Sequence, residues 1–172
     1  MRVFLTGFMG AGKSYVGRRL AERLGYPFLD LDKLVEEQAR ASITDLFARI
    51  GESSFRDLES TLLRELDNLP MFVLATGGGT PCSHGNMGWM NAHGTTVFLD
   101  VHPDILARRL GPERAHRPLL HGHADLGSII RQRLGDRRAC YEAAKVRVVY
   151  DDPRQDAVRL VENQLHLLQA NS

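Results

Sequence analysis

The sequence predicts an α/β fold with a mostly parallel sheet. Short apolar runs alternate with stretches of helical periodicity along the chain. The first run leads directly into a glycine-rich loop that opens a helix, and further loops bearing aspartates or glycines follow later runs. Right-handed crossovers put the ends of parallel strands on one edge. The loops after those strands should therefore converge on one cleft.

Val3-Phe4-Leu5, closing on Thr6, reads as a buried strand. Gly7-Phe8-Met9-Gly10-Ala11-Gly12-Lys13-Ser14 follows and fits G-x-x-x-x-G-K-[ST]. Val16, Leu20 and Leu24 then recur at four-residue spacing, with Gly25 as the helix stop. In such a strand–loop–helix unit the glycines let backbone N–H groups point at phosphate oxygens, and the helix N-terminus adds partial positive charge. Lys13 should reach the β- and γ-phosphates and the Ser14 hydroxyl should ligate Mg²⁺. The chain is expected to bind a nucleoside triphosphate.

Pro27–Leu31 reads as a second strand closing on Asp30-Leu31-Asp32, with a helix through Leu34 and Val35. Ser42 caps a helix bearing Ile43, Leu46, Phe47 and Ile50 at i, i+3, i+4, i+7, and Gly51 ends it. The next helix carries Phe55, Leu58, Leu62, Leu66 and Leu69, and Pro70 stops it. Met71–Ala75 is a third strand, broken at Thr76-Gly77-Gly78-Gly79. Thr95–Val101 is a fourth, followed by a helix from Pro103 carrying Ile105, Leu106 and Leu110. Residues 111–124 lack periodicity and read as a loop, and a loop this long inside a compact domain is usually functional or disordered. A helix over about residues 125–145, a strand Val146–Tyr150 and a last helix with Val158, Val161, Leu165 and Leu168 inward complete the chain.

The chain's 172 residues, without repeat, low-complexity tract or linker, read as one domain. With 43% apolar and 25% charged residues the composition is that of a globular protein. A net charge of +1 gives no reason to expect a nucleic-acid or membrane surface. No apolar run approaches a membrane span and no leader pattern opens the chain, so a cytoplasmic enzyme is expected. Nineteen of the 22 basic residues are arginines, the better bidentate partners for carboxylate and phosphate. Cys82 and Cys140 lack C-x-x-C spacing and are expected as reduced, buried or half-buried thiols.

A P-loop enzyme needs a second acid near its metal, usually an aspartate closing an apolar strand. Asp30, Asp100 and Asp151 all fit, and spacing does not choose among them. Asp30 and Asp32 together could serve metal and acceptor separately. Arg56 and Glu59, at i, i+3, read either as a rim ion pair or as a binding arginine held by a carboxylate. Gly77–Gly79 reads either as a bare turn or as a place where backbone N–H groups approach an acceptor. Arg133 and Arg137 share a helix face, for which solvation is the default. His121 and His123, without carboxylate or thiolate support, give no metal site.

Taken together, Gly7–Ser14, Asp30-Leu31-Asp32, residues 51–59, Thr76–Thr80, Arg117-Pro118-Leu119-Leu120 and Arg137 through Tyr141 to Glu142 resemble the shikimate kinases over nearly the whole chain. The resemblance implies a three-layer P-loop kinase fold with five parallel strands in the order 2-3-1-4-5. It also implies an acceptor region near residues 32–60 and a lid near 111–124. It implies phosphorylation of the shikimate 3-hydroxyl by ATP with Mg²⁺, by a monomer. By motif, Lys13, Asp32 and Arg117 are the catalytic candidates. Gly10, Ala11, Gly12, Lys13, Ser14, Tyr15, Arg109 and Arg117 are the nucleotide candidates, with Arg154 a further one on the adenine side. Asp32, Arg56, Gly78, Gly79 and Arg137 are the acceptor candidates, with Phe47 and Phe55 as pocket walls and Glu59 supporting Arg56. Ser14 and Asp30 are the metal candidates. A related kinase acting on gluconate or a nucleoside monophosphate is the alternative.

Overall fold

The computed structural model describes residues 1–112, 125–150, 152 and 155–170. Five strands, β1 (Arg2–Thr6), β2 (Phe28–Asp30), β3 (Phe72–Ala75), β4 (Thr95–Val101) and β5 (Val146–Tyr150), form one parallel sheet in the order β2-β3-β1-β4-β5. Among the described residues seven α-helices connect and flank them: α1 (Lys13–Leu24), α2 (Leu31–Ala39), α3 (Ile43–Glu65), α4 (Asn86–His93), α5 (Pro103–Leu110), α6 (Leu126–Glu142) and α7 (Ala157–Ala170).

The strands read as continuous apolar runs because both faces of the sheet are covered. Side chains alternate along β1: Val3 and Leu5 enter the core under α1, α5, α6 and α7, whereas Phe4 enters the core under α2, α3 and α4. β3 divides in the same way, with Val73 on the first side and Phe72 and Leu74 on the second. The result is three layers with two apolar cores.

Register aligns the functional loops. Ala75 pairs with Leu5 and with Asp30, and Leu5 pairs with Val97. The loops after β1, β2 and β3 thus leave the sheet side by side.

Several boundaries differ from the sequence expectation. Leu31 is buried in the first turn of α2, so β2 is shorter than Pro27–Leu31. Gly51 does break the long helical stretch: its φ of 75° interrupts α3, so the two expected helices abut with no intervening loop. Ile50, Leu69 and Leu168, expected on apolar faces, are exposed at 41%, 39% and 37%. Helix α4 was not expected, because Gly88 and two asparagines obscure its periodicity. Its Met87 and Met90 are nonetheless buried in the second core. The cysteines also differ: Cys82 and Cys140 are joined in a disulfide with a Cα–Cα distance of 5.4 Å, so neither is a reduced thiol. Neither is fully buried; Cys82 is exposed. No span in the sequence placed these two side by side across 58 residues.

Candidate active site

The loop after β1 forms the first half of the site. Gly10 and Gly12 have φ of 77° and 92°, a region closed to most side chains, and Gly12 leads into the N-terminus of α1. Lys13 is buried, and its ammonium donates to the carbonyl oxygens of Gly7 and Phe8, both at 3.0 Å. The Ser14 hydroxyl donates to the Asp30 carboxylate at 2.6 Å. Asp30 occupies the N-cap position of α2, yet its side chain makes no capping bond; it turns to Ser14 instead.

That contact separates Asp30 from Asp100. Asp100 is held by two arginines, Arg138 at 2.9 Å and Arg147 at 2.6 Å, and is a structural anchor between β4, β5 and α6. Asp151 lies outside the described residues. Asp30 alone among the described pair shares the loop's serine. A hydroxyl and a carboxylate at a helix N-terminus fit Mg²⁺, which takes few protein ligands and relies on water and phosphate for the rest. No cluster of three or more His, Cys, Asp or Glu poised to hold a metal occurs among the described residues.

Beside the loop lies a cavity of about 780 Å³ lined by Gly10, Ala11, Gly12, Tyr15, Arg109 and Tyr150, among others. Arg109 donates to the Gly10 carbonyl at 3.1 Å, and its guanidinium lies 5.1 Å from the Tyr150 ring centre. Tyr15 is exposed, with Arg19 stacked over its ring at 3.7 Å. The structure brings all these nucleotide candidates together. Tyr150 and Arg19 were missed by motif, although Tyr150 closes a strand on the same edge as the loop.

The second half of the site is built on the loop after β3. A side chain on Gly79 would collide with the Arg56 guanidinium, and one on Gly77 would collide with Glu59. A Gly77 Cβ would also stand 2.9 Å from Asp32 Oδ1. These glycines exist for close approach: their bare backbone lets Arg56, Glu59 and Asp32 gather around one strap. Gly78 sits against the first loop, since a Cβ there would lie 3.3 Å from the Met9 nitrogen and 3.6 Å from Arg137 Nη1. The two halves of the site therefore touch. Gly77 was missed as a site residue because a run of three glycines does not say which one is crowded.

Arg56 is buried and donates to Glu59 at 2.8 Å and to Glu52 at 3.2 Å. Burial alone would lower its pKa, but Glu59 and Glu52 outweigh burial and hold the guanidinium above its ordinary value. Glu59 is fully buried and accepts a short hydrogen bond from Thr80. The pair is a braced internal ion pair, not the rim pair that its spacing equally allowed. Phe47 and Phe55 lie beside it, their ring centres 4.5 Å apart and 5.8 and 5.2 Å from the guanidinium.

Arg137 reaches the strap from α6. Its Nη1 is buried with no hydrogen-bond partner among the described residues. A buried guanidinium nitrogen left unpaired is costly, and an anionic ligand is the natural partner. Tyr141, one turn further along α6, donates to the Gly78 carbonyl at 2.6 Å and stacks on Phe98. Asp32 stands in the first turn of α2, where the residue as a whole is exposed to solvent while its Oδ1 is tucked against Gly77. Its pKa is raised to about 6, chiefly by removal from water, then by the negative charges of Glu59 and Asp30; Lys13 and Arg56 pull the other way. Arg117, His121, His123 and Arg154 lie outside the described residues.

The site thus sets a glycine loop with Lys13, Ser14 and Asp30 beside a glycine strap that gathers Arg56, Arg137 and Asp32. Comparison with known proteins gives the family. A family model described as shikimate kinase matches residues 9–167. A shikimate kinase of Bacteroides thetaiotaomicron is 45% identical over 147 residues, covering 84% of each chain. The crystal structure of a shikimate kinase from that organism superposes with a TM-score of 0.88 at 40% identity, covering 98% of both chains. The Acinetobacter baumannii shikimate kinase in complex with shikimate superposes with a TM-score of 0.88 at 34% identity, covering 99% of this chain and 94% of that one. On its fold, its paired half-sites and these matches, the chain belongs to the shikimate kinase family.

Proposed function

We propose that this protein transfers the γ-phosphoryl group of ATP to the 3-hydroxyl of shikimate, giving shikimate 3-phosphate and ADP on the route to chorismate and the aromatic amino acids. The observation that carries this reading is the strap Gly77–Gly79 with Arg56 against Gly79 and Arg137 against Gly78, set directly on the triphosphate loop. Two guanidiniums on adjacent glycines suit a small carboxylate and disfavour neutral polyols.

In this reading Arg56 and Arg137 fix the shikimate carboxylate, and the Gly78 and Gly79 backbone closes over the ring. Asp32 accepts the proton of the 3-hydroxyl as its oxygen forms a bond to the γ-phosphorus. The bond from that phosphorus to the β–γ bridging oxygen breaks and ADP leaves. A carboxylate with a pKa of about 6 is a better base than an ordinary aspartate and is still mostly ionised at neutral pH. Lys13 meets the β- and γ-phosphates, and Arg109 and Tyr15 flank the base. Ser14 and Asp30 hold Mg²⁺, which when bound neutralises charge on the phosphates. Arg117 reaches the transferring group from the lid. Phosphoryl transfer depends mainly on positioning and charge stabilisation, and a cis arginine contributes on the order of 10³-fold. The protein works as a cytoplasmic monomer without nucleic-acid partners. Among the described residues no helix is long and apolar enough to cross a membrane.

A coupled ADP-release assay with shikimate, gluconate and AMP as acceptors tests this. Shikimate-dependent ADP release, at least about a hundredfold above either alternative in kcat/KM, is the expected result. ADP release that depends on gluconate or AMP instead would overturn the acceptor assignment.

A further inference from the structure

Both cysteines of the chain are used in one bond, and its position is specific. Cys82 ends the short 3-10 turn Thr80–Cys82 that follows directly on the glycine strap. Cys140 lies on α6 between Arg137 and Tyr141. The bond therefore joins the two segments that form the acceptor pocket, and both sulfurs lie near the Arg137 carbonyl oxygen, at 3.9 and 3.0 Å. A chain with two extensive apolar cores does not need such a staple to fold, unlike a small domain with too little core. Cys82 is exposed and Cys140 half-buried, so one sulfur is open to attack.

We propose that Cys82–Cys140 is a reversible thiol–disulfide exchange site that sets affinity for the acceptor. The inference rests on Arg137 and the strap binding the acceptor carboxylate. Its reaction partner is a dithiol reductant. A reductant thiolate attacks Cys82 Sγ, the S–S bond breaks, and the electron pair leaves on Cys140 Sγ, which takes a proton. The reductant's second thiol then attacks the mixed disulfide and releases Cys82 as a thiolate, which is also protonated. The reductant ends as its own disulfide, having given two electrons and two protons to the protein. In the oxidised form α6 is fastened to the strap, holding Arg137 Nη1 beside Gly78. In the reduced form that covalent tie is lost, and the Tyr141–Gly78 hydrogen bond and side-chain packing remain. The nucleotide cavity lies away from the bond and is lined by none of these residues.

The test uses the full chain in oxidised and in reduced dithiothreitol buffer, with free thiols titrated in each. Reduction should expose both thiols and raise the KM for shikimate about fivefold or more. The KM for ATP and kcat should stay within about twofold. The double variant Cys82→Ser/Cys140→Ser should behave as the reduced enzyme in both buffers. Free thiols persisting in the oxidised buffer, an unchanged shikimate KM after complete reduction, or a redox response in the double variant would each overturn the proposal. Arg137→Ala measured in parallel separates the two levels. If it raises the shikimate KM while reduction does not, only the switch is wrong. If it leaves that KM unchanged, the carboxylate assignment itself is wrong and the switch falls with it.

Discussion

Asp32 concentrates the chemistry of the pocket in one side chain. Its carboxyl is pushed up to about 6 because protein replaces water around it and because Glu59 and Asp30 stand nearby. If it is the base, kcat/KM for shikimate should climb as pH rises through about 6 and then level, and Asp32→Asn should lose about 10³-fold or more in kcat while nucleotide affinity is kept. Loss of nucleotide affinity with turnover retained at saturation would contradict the role. Stability should move in the opposite sense to activity. Because the folded pKa exceeds that of an ordinary aspartate, the folded state holds its proton more tightly, and stability is lost as pH rises from about 4 through about 6. The Asn variant should therefore melt higher than the parent at pH 7 and show no such advantage below pH 4. The residue's role was legible only by family motif. Its electrostatics were not, since Glu59 lies 27 positions away and meets it only across Gly77.

At the scale of elements, α3 presents Arg56 and Glu59 to the strap, and Thr80 closes the circuit by donating to Glu59. Spacing of i, i+3 identified the pair as neighbours but left its burial open, because burial is decided by α2, β3 and the strap. Removing the charge by Glu59→Gln leaves Arg56 with only the partly exposed Glu52. The expected result is a loss of roughly 3 kcal/mol in unfolding free energy by urea titration, together with a raised KM for shikimate. A variant with parental stability and parental KM would show that Glu59 braces nothing. Helix α4 illustrates the converse limit. Met87 and Met90 are buried in the same core as Phe4 and Phe72 of β1 and β3, and no local periodicity announces that packing. The Gly7–Ser14 loop was legible for the opposite reason: its demands on φ and on close phosphate approach are met within eight consecutive residues.

For the whole molecule, the sheet order places the triphosphate loop between the strap and the β4–β5 half, so donor and acceptor sites meet at Gly78 and Met9. Strand-and-helix alternation predicted the parallel sheet, because each apolar run had to be covered on both faces. Telling Asp30 from Asp100 needed three dimensions: both close apolar strands, but of the two Asp30 meets Ser14 while Asp100 is occupied by Arg138 and Arg147. The disulfide was beyond sequence spacing, since it depends on α6 crossing the 3-10 turn after β3. What this architecture claims above all is that two arginines on one strap select a carboxylate next to a bound triphosphate. The most direct test is kcat/KM for shikimate against that for its methyl ester, measured by ADP release. The account predicts a preference of about a hundredfold or more for the free acid, as expected when charge-assisted hydrogen bonds from two guanidiniums are lost, and a ratio near one would contradict it.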